Sequence, residues 1–146
     1  MRSRYPLNRF AALVILIFGV LAAVLRAQET RSLWDGVYTQ EQAKRGEAAY
    51  GEQCARCHGT DLMGGDSVPP LAGADFLSLW NEKTVGDLFD RIRTSMPADK
   101  RGTLNRQQAS DIVAYLLTEN NFPSGKAELA TQSDVLRQIQ FDAFKH

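Results

Sequence analysis

Residues 54–58 read Cys54-Ala55-Arg56-Cys57-His58, and this short run holds both cysteines of the chain and one of its two histidines. Two thiols separated by two residues can each add to a vinyl group of a haem. The turn between them then sets the next side chain, His58, beneath the ring as an iron ligand. Three other chemistries compete for the same residues. A thioredoxin-like Cys-x-x-Cys needs a strand before it and a helix opening at it, and the flanks here carry no strand pattern. A zinc site would have to recruit His146, the final residue, to reach four ligands. A plain disulfide would leave His58 without a role. The spacing therefore predicts one haem c, attached through Cys54 and Cys57.

Iron bound by His58 has an opposite face, whose occupant decides between electron transfer and small-molecule binding. His146 is terminal, Met1 belongs to an export-type segment, and Met63 follows His58 too closely to wrap around a ring. Met96 stands in Thr94-Ser95-Met96-Pro97, where proline biases the preceding residue away from helix and so places Met96 at a helix exit. A thioether there can reach iron from the distal side, and the competing reading is methionine as core filler.

Working outward, three helices are expected around these residues. Thr39 with Gln42 forms a capping-box pattern, after which Ala43, Gly46 and Tyr50 recur on one face until Gly51 stops the run. Thr84 with Asp87 opens a second, with Val85, Leu88, Phe89 and Ile92 at helical spacing. The third begins near Asn105, carries Ala109, Ile112, Val113, Leu116 and Leu117, and ends at Asn120-Asn121 before Pro123. Gly59–Gly73, with four glycines and two prolines, reads as a loop that can lie against the ring. Gly46 inside an amphipathic helix costs about 1 kcal/mol against Ala, which makes sense where Ile112 or Tyr115 of the third helix crosses closely; a tolerated surface glycine is the alternative.

The chain has 146 residues, 44% hydrophobic and 23% charged, with 17 basic and 17 acidic side chains, which fits one small domain. The neutral total hides an asymmetry. Residues 1–27 carry Arg2, Arg4, Arg9 and Arg26 and no acid, leaving 13 basic against 17 acidic over 28–146. A mildly acidic domain argues against a nucleic-acid partner. Met1–Arg9 is basic, Phe10–Leu25 is an unbroken apolar run, and Leu25-Arg26-Ala27 ends on a small residue. This reads as a signal peptide over 1–27, with an uncleaved membrane anchor as the alternative because Leu25 suits cleavage poorly. Either way the domain is expected in the periplasm, free or tethered to the outer face of the inner membrane. Residues 28–38 then form a leader, 39–121 the domain and 122–146 a C-terminal extension.

Together these motifs resemble the class I c-type cytochromes over 39–121. The matching elements are Ala43-x-x-Gly46-x-x-x-Tyr50 leading into Cys54-x-x-Cys57-His58-Gly59, then Pro69-Pro70-Leu71-x-Gly73, then Met96-Pro97, then Ile112-x-x-Tyr115-Leu116. The resemblance implies an all-α, small cytochrome c fold with three main helices around one haem, the first and last crossing near Gly46 and Tyr115. It implies His58 and Met96 as axial ligands, and the carbonyl of Pro69 or Pro70 as acceptor of the His58 Nδ1–H bond, which orients the ring. Leu71 and Trp80 join the cofactor-binding set, Trp80 as a propionate donor or as core packing; Arg91 and Arg93 are propionate donors or exposed helix residues. The stretch Ser32–Tyr38 is similar to exported cytochromes that accompany quinoprotein dehydrogenases.

These readings converge on a carrier of single electrons between redox protein partners, which transforms no substrate itself. Docking is expected at an apolar patch of Ala55, Val68, Pro97 and Ala98. One alternative is a subunit acting as the electron port of a dehydrogenase or oxidase. Another is a gas-binding or peroxidatic haem protein with an open distal site, which lacks an acid–base pair to work on peroxide. The apolar residues of 28–38 and 122–146 either cover the domain's own surface or dock on a partner.

Overall fold

The computed structural model describes residues 31–144. Strand β1 (Arg31–Ser32) and a 3-10 turn at Leu33–Asp35 lead into helices α1 (Gln40–Gln53), α2 (Ala55–His58), α3 (Ala74–Trp80), α4 (Val85–Ser95), α5 (Arg106–Glu119) and α6 (Ser133–Leu136), followed by strand β2 (Ile139–Gln140). The architecture is all-α. The two strands pair in parallel through only two residues each, Arg31 with Ile139 and Ser32 with Gln140. No described helix is long and apolar enough to cross a membrane, and the apolar run at 10–25 lies outside the described residues.

The three expected helices are α1, α4 and α5, and their ends show why they start where they do. Thr84 and Asp87 cap α4 reciprocally, and Asn105 and Gln108 do the same for α5. At α1 the box is only half formed. Thr39 Oγ1 accepts from the Gln42 N–H at 3.2 Å, but the Gln42 side chain turns inward, donating to Ser110 Oγ and the Leu129 carbonyl and accepting from the Leu129 N–H at 2.7 Å. A fully buried amide is worth more when it satisfies three polar groups than when it caps one exposed N–H. Gly51 does not end the helix either; α1 runs on to Gln53 and breaks at Cys54.

Gly46 sits where α1 crosses α5. A Cβ there would run into the Asp111 carbonyl oxygen and come within 2.9 Å of Tyr115 Cβ, so only glycine permits the approach. One turn on, the rings of Tyr50 and Tyr115 pack at 5.2 Å. Helix α3 was not expected from the sequence. It is seven residues long, opens on Gly73 with no side-chain cap, and buries only Phe76 fully.

The leader and the extension cover the domain's own surface. Leu33, Val37, Tyr38, Phe122, Leu129, Leu136, Ile139 and Phe141 are all buried in the common core. Trp34 Nε1–H donates to the Asp142 carbonyl, Tyr38 O–H to the Phe122 carbonyl, and Phe141 packs edge-on against Phe76 and Phe122. Helix α6 lies against α4, where Ser133 Oγ and Arg137 both donate to the Asp90 carboxylate. The extension thereby braces the helix that ends at Met96.

Candidate functional site

Helix α1 delivers Cys54, and the break there starts the single turn of α2. The N–H groups of Cys57 and His58 both donate to the Cys54 carbonyl at 3.0 Å, so the two sulfur-bearing residues lie one turn apart with His58 next in line. Cys54 is half-buried and Cys57 exposed, and neither forms a disulfide. Burial, with a contribution from Cys57, pushes the Cys54 thiol up to about 11, so it is a protonated thiol at neutral pH. Among the described residues no three of His, Cys, Asp or Glu converge on a metal-sized centre.

His58 is 8% exposed and its Nδ1 lies 3.0 Å from the Pro69 carbonyl oxygen. A carbonyl only accepts, so Nδ1 carries the proton and Nε2 keeps its lone pair free for a metal. The loop between them is built to make that contact. Gly64 N–H donates to the His58 carbonyl at 2.8 Å, Leu71 N–H to the Leu62 carbonyl at 2.7 Å, and Gly65 and Val68 exchange backbone bonds. At Gly64, φ is +68°, and a Cβ would strike the Val68 carbonyl and approach the Pro69 carbonyl to 2.9 Å. Leu71 is half-buried against the core.

Two anchors of this loop escaped the sequence reading. Tyr50 O–H donates to the Gly59 carbonyl at 2.7 Å. Asn120, buried at the end of α5, donates to the Leu71 carbonyl and accepts from the Gly73 N–H, both at 3.0 Å. The only sequence signal for Asn120 was its helix-terminal position, which has nothing to say about a loop 47 residues earlier.

Met96 caps α4 in extended geometry, its N–H on the Ile92 carbonyl, and is half-buried; the Met96–Pro97 peptide is cis. Residues 97–104 form a short loop whose one hydrogen-bonded tie to another part of the chain, among the described residues, is the ion pair between Arg56 and Asp99 at 2.6 Å. That pair links the Met96 loop to α2. Met63 is 58% exposed, and Met1 and His146 lie outside the described residues. Trp80 is half-buried beside Phe76, with Lys83 Nζ 5.9 Å above its ring. Arg91 is exposed. Arg93 is half-buried, and its Nε is the one buried side-chain nitrogen or oxygen among the described residues with no hydrogen-bond partner. Of the expected docking patch, Ala98 is exposed, while Ala55, Val68 and Pro97 are half-buried.

The donor set fits a covalently held haem: two uncommitted thiols one turn apart, a histidine with its ligating nitrogen free, and a hidden guanidinium N–H lacking an acceptor such as a carboxylate. A helical fold carrying this attachment turn is that of a class I c-type cytochrome, an electron-transfer haem domain. A family model described as cytochrome c oxidase, cbb3-type, subunit III matches residues 41–116, just over half of the chain, and the chain belongs to this family. Membership implies haem c, and the matched region includes Cys54 and Cys57.

Relatives extend this picture. The chain is 35% identical over 79 residues to a thiosulfate dehydrogenase of Stutzerimonas stutzeri (strain A1501), an alignment covering 49% of this chain and 25% of that protein. It thus spans about a quarter of the length of this curated relative. It is also similar to a chain in the crystal structure of the sulfane dehydrogenase SoxCD from Paracoccus pantotrophus, with 24% identity and a TM-score of 0.48, covering 73% of this chain and 61% of that one.

Proposed function

We propose that the protein is an exported, mono-haem c-type cytochrome that passes single electrons between redox proteins through an iron held by His58 and Met96. The observation that carries this reading is the His58 Nδ1–Pro69 carbonyl bond, because it presets the imidazole tautomer that a haem iron requires. Haem c, once attached, supplies a one-electron ferric/ferrous couple. Cys54 and Cys57 would hold it through two thioether bonds, each S–H adding across a vinyl group with sulfur on one carbon and hydrogen on the other. The Pro69 carbonyl keeps the His58 ring oriented and more basic. Tyr50 and Asn120 hold the loop that carries that carbonyl. Met96, at the exit of the helix braced by α6, offers a thioether that favours the ferrous state. A haem propionate would supply the acceptor that the buried Arg93 Nε–H lacks. Pro69 and Leu71 would help hold a haem beside His58, and Trp80 would donate to a propionate or pack as part of the core. Export rests on the basic and then apolar residues 1–27, as a signal or an anchor.

The test is the visible spectrum of the exported holoprotein in both oxidation states, with and without carbon monoxide, for wild type and Met96→Ala. Wild type should be low-spin and indifferent to carbon monoxide, while the variant binds it. Ready binding by wild type would replace the carrier by a gas-binding or peroxidatic haem protein.

A second reading is favoured by the match to part of a thiosulfate dehydrogenase: the chain serves as the electron port of a dehydrogenase, of the quinoprotein or sulfur-compound kind. Co-purification of a stable stoichiometric complex from the native host supports it over a diffusing carrier. A monomer that reduces and reoxidises freely does not.

A further inference from the structure

The loop that carries the Pro69 carbonyl is gripped from behind by the end of a helix. Asn120, 7% exposed at the C-terminus of α5, donates through Nδ2 to the Leu71 and Leu116 carbonyls at 3.0 and 2.8 Å and accepts the Gly73 N–H on Oδ1 at 3.0 Å. Two of these bonds cross to the loop. An amide carries both the donors and the acceptor that these partners require. A carboxylate would face two carbonyl oxygens, and an apolar side chain would strand all three backbone groups.

The grip lies two residues from the carbonyl that meets His58. Pro70 stands between, and its ring fixes φ, so it has one rotation fewer with which to absorb a shift at Leu71. Pro69 and Pro70 also lack an N–H, which leaves this part of the loop no backbone donor of its own. Its place is therefore set from its two ends. On one side stand the Gly65–Val68 bridge and the Gly64 N–H on the His58 carbonyl at 2.8 Å. On the other, the Leu71 N–H reaches the Leu62 carbonyl within the same loop, and Asn120 ties Leu71 and Gly73 to the helical core.

We infer that Asn120 is a positioning residue for electron transfer: from the end of α5 it holds the Pro69 carbonyl on the His58 Nδ1–H and thereby sets how strongly the site favours ferric over ferrous iron. This rests on the carrier reading of the site. A carbonyl held on Nδ1–H makes the imidazole a stronger electron donor through Nε2, which favours ferric iron. Hydrogen bonds weaken steeply with poor angle and length, so a small drift of the carbonyl weakens that donation and favours ferrous iron. Releasing the grip should raise the midpoint potential although neither Asn120 nor the loop residues it holds is an iron ligand.

The experiment uses the holoprotein with Asn120→Ser or Asn120→Ala, and Asn105→Ala as the control that uncaps the opposite end of the same helix. The readouts are the midpoint potential, the His58 Nδ1–H proton resonance of the ferrous protein and the urea midpoint. Both Asn120 variants should stay low-spin, move the Nδ1–H resonance upfield as its hydrogen bond weakens, and raise the ferrous share. The expected rise in the ferrous-to-ferric ratio at fixed applied potential is about three- to tenfold, or about 30–60 mV at 59 mV per tenfold. Asn105→Ala should lower the urea midpoint and leave the other two readouts unmoved, so lost stability alone does not imitate the effect. Wild type supplies a test that needs no variant. In deuterium oxide the His58 Nδ1–H and the Gly73 amide should share one protection factor, because a single opening of the clamp exposes both. An unmoved potential and resonance in the Asn120 variants, an equal shift in Asn105→Ala, or a His58 Nδ1–H far less protected than the Gly73 amide overturns the positioning role. A purified protein without covalent haem would instead refute the carrier reading beneath it.

Discussion

Two glycines on one helix are expected to respond in opposite directions to the same substitution. At Gly51 an added Cβ meets nothing within 4 Å, and α1 continues through the position, so Gly51→Ala should stabilise by about 0.5–1 kcal/mol through helix propensity alone. Gly46→Ala collects the same gain and loses far more. Its Cβ would overlap the Asp111 carbonyl, which is backbone within α5 and cannot swing aside, and would crowd Tyr115 Cβ at 2.9 Å. The helices must part. Parting them stretches the bidentate Arg45–Asp111 pair at 3.0 and 3.1 Å and loosens the Tyr50–Tyr115 contact at 5.2 Å. Overpacking against rigid structure costs roughly 1–3 kcal/mol and at times more, and the lost contacts raise it, so a net loss of about 2–4 kcal/mol is expected. Because Tyr50 also holds Gly59, the loosening should reach the haem pocket. The assay is urea unfolding of the ferric holoprotein, followed by the Soret band and by far-ultraviolet circular dichroism. A Gly46→Ala midpoint at or above wild type would refute the close crossing.

Other outcomes follow from single groups. The Thr84 hydroxyl hydrogen-bonds the Asp87 carboxylate and holds it below its ordinary value, so Asp87 contributes stability fully above about pH 4 and loses it as pH falls through the lowered folded-state value. The stability gap between wild type and Asp87→Asn should accordingly be open at pH 7 and close in acid; a gap independent of pH would show that the carboxylate charge is irrelevant to the cap. Arg93→Gln should keep the haem attached and low-spin while shifting the ferric/ferrous balance several-fold towards ferric, because a propionate then loses its cation. An unchanged midpoint potential, with Arg91→Gln as the control on the exposed face, would remove Arg93 from the haem site.

Much of this protein is short-range and could be read from residues a few positions apart. The Cys54-x-x-Cys57-His58 run points to haem c because two thiols and an imidazole fall within one helical turn, the arrangement that attachment and ligation would need. The caps at Thr84 and Asn105, the helix exit at Met96-Pro97 and the glycine loop are equally local, and α4 and α5 start where those signals stand. Gly46 announced a close crossing through its propensity cost, although its neighbour proved to be the Asp111 backbone together with Tyr115.

What only the tertiary structure decided depends on partners far along the chain. Gln42 looks like half of a capping box and instead clamps Ser110 and Leu129, 68 and 87 residues away. Asn120 looks like a helix end and instead holds the loop at Leu71 and Gly73. The leader and the extension carried apolar residues that the sequence could assign to the domain or to a partner, and packing on Phe76 and the α4 helix made them part of the core. The Arg56–Asp99 contact, which links the loop after Met96 to the turn that bears the cysteines, joins residues 43 apart. Local sequence determines helix ends and covalent chemistry because those interactions close within a turn. Which buried polar group meets which acceptor is settled only when the chain folds back and desolvation makes an unpaired group costly.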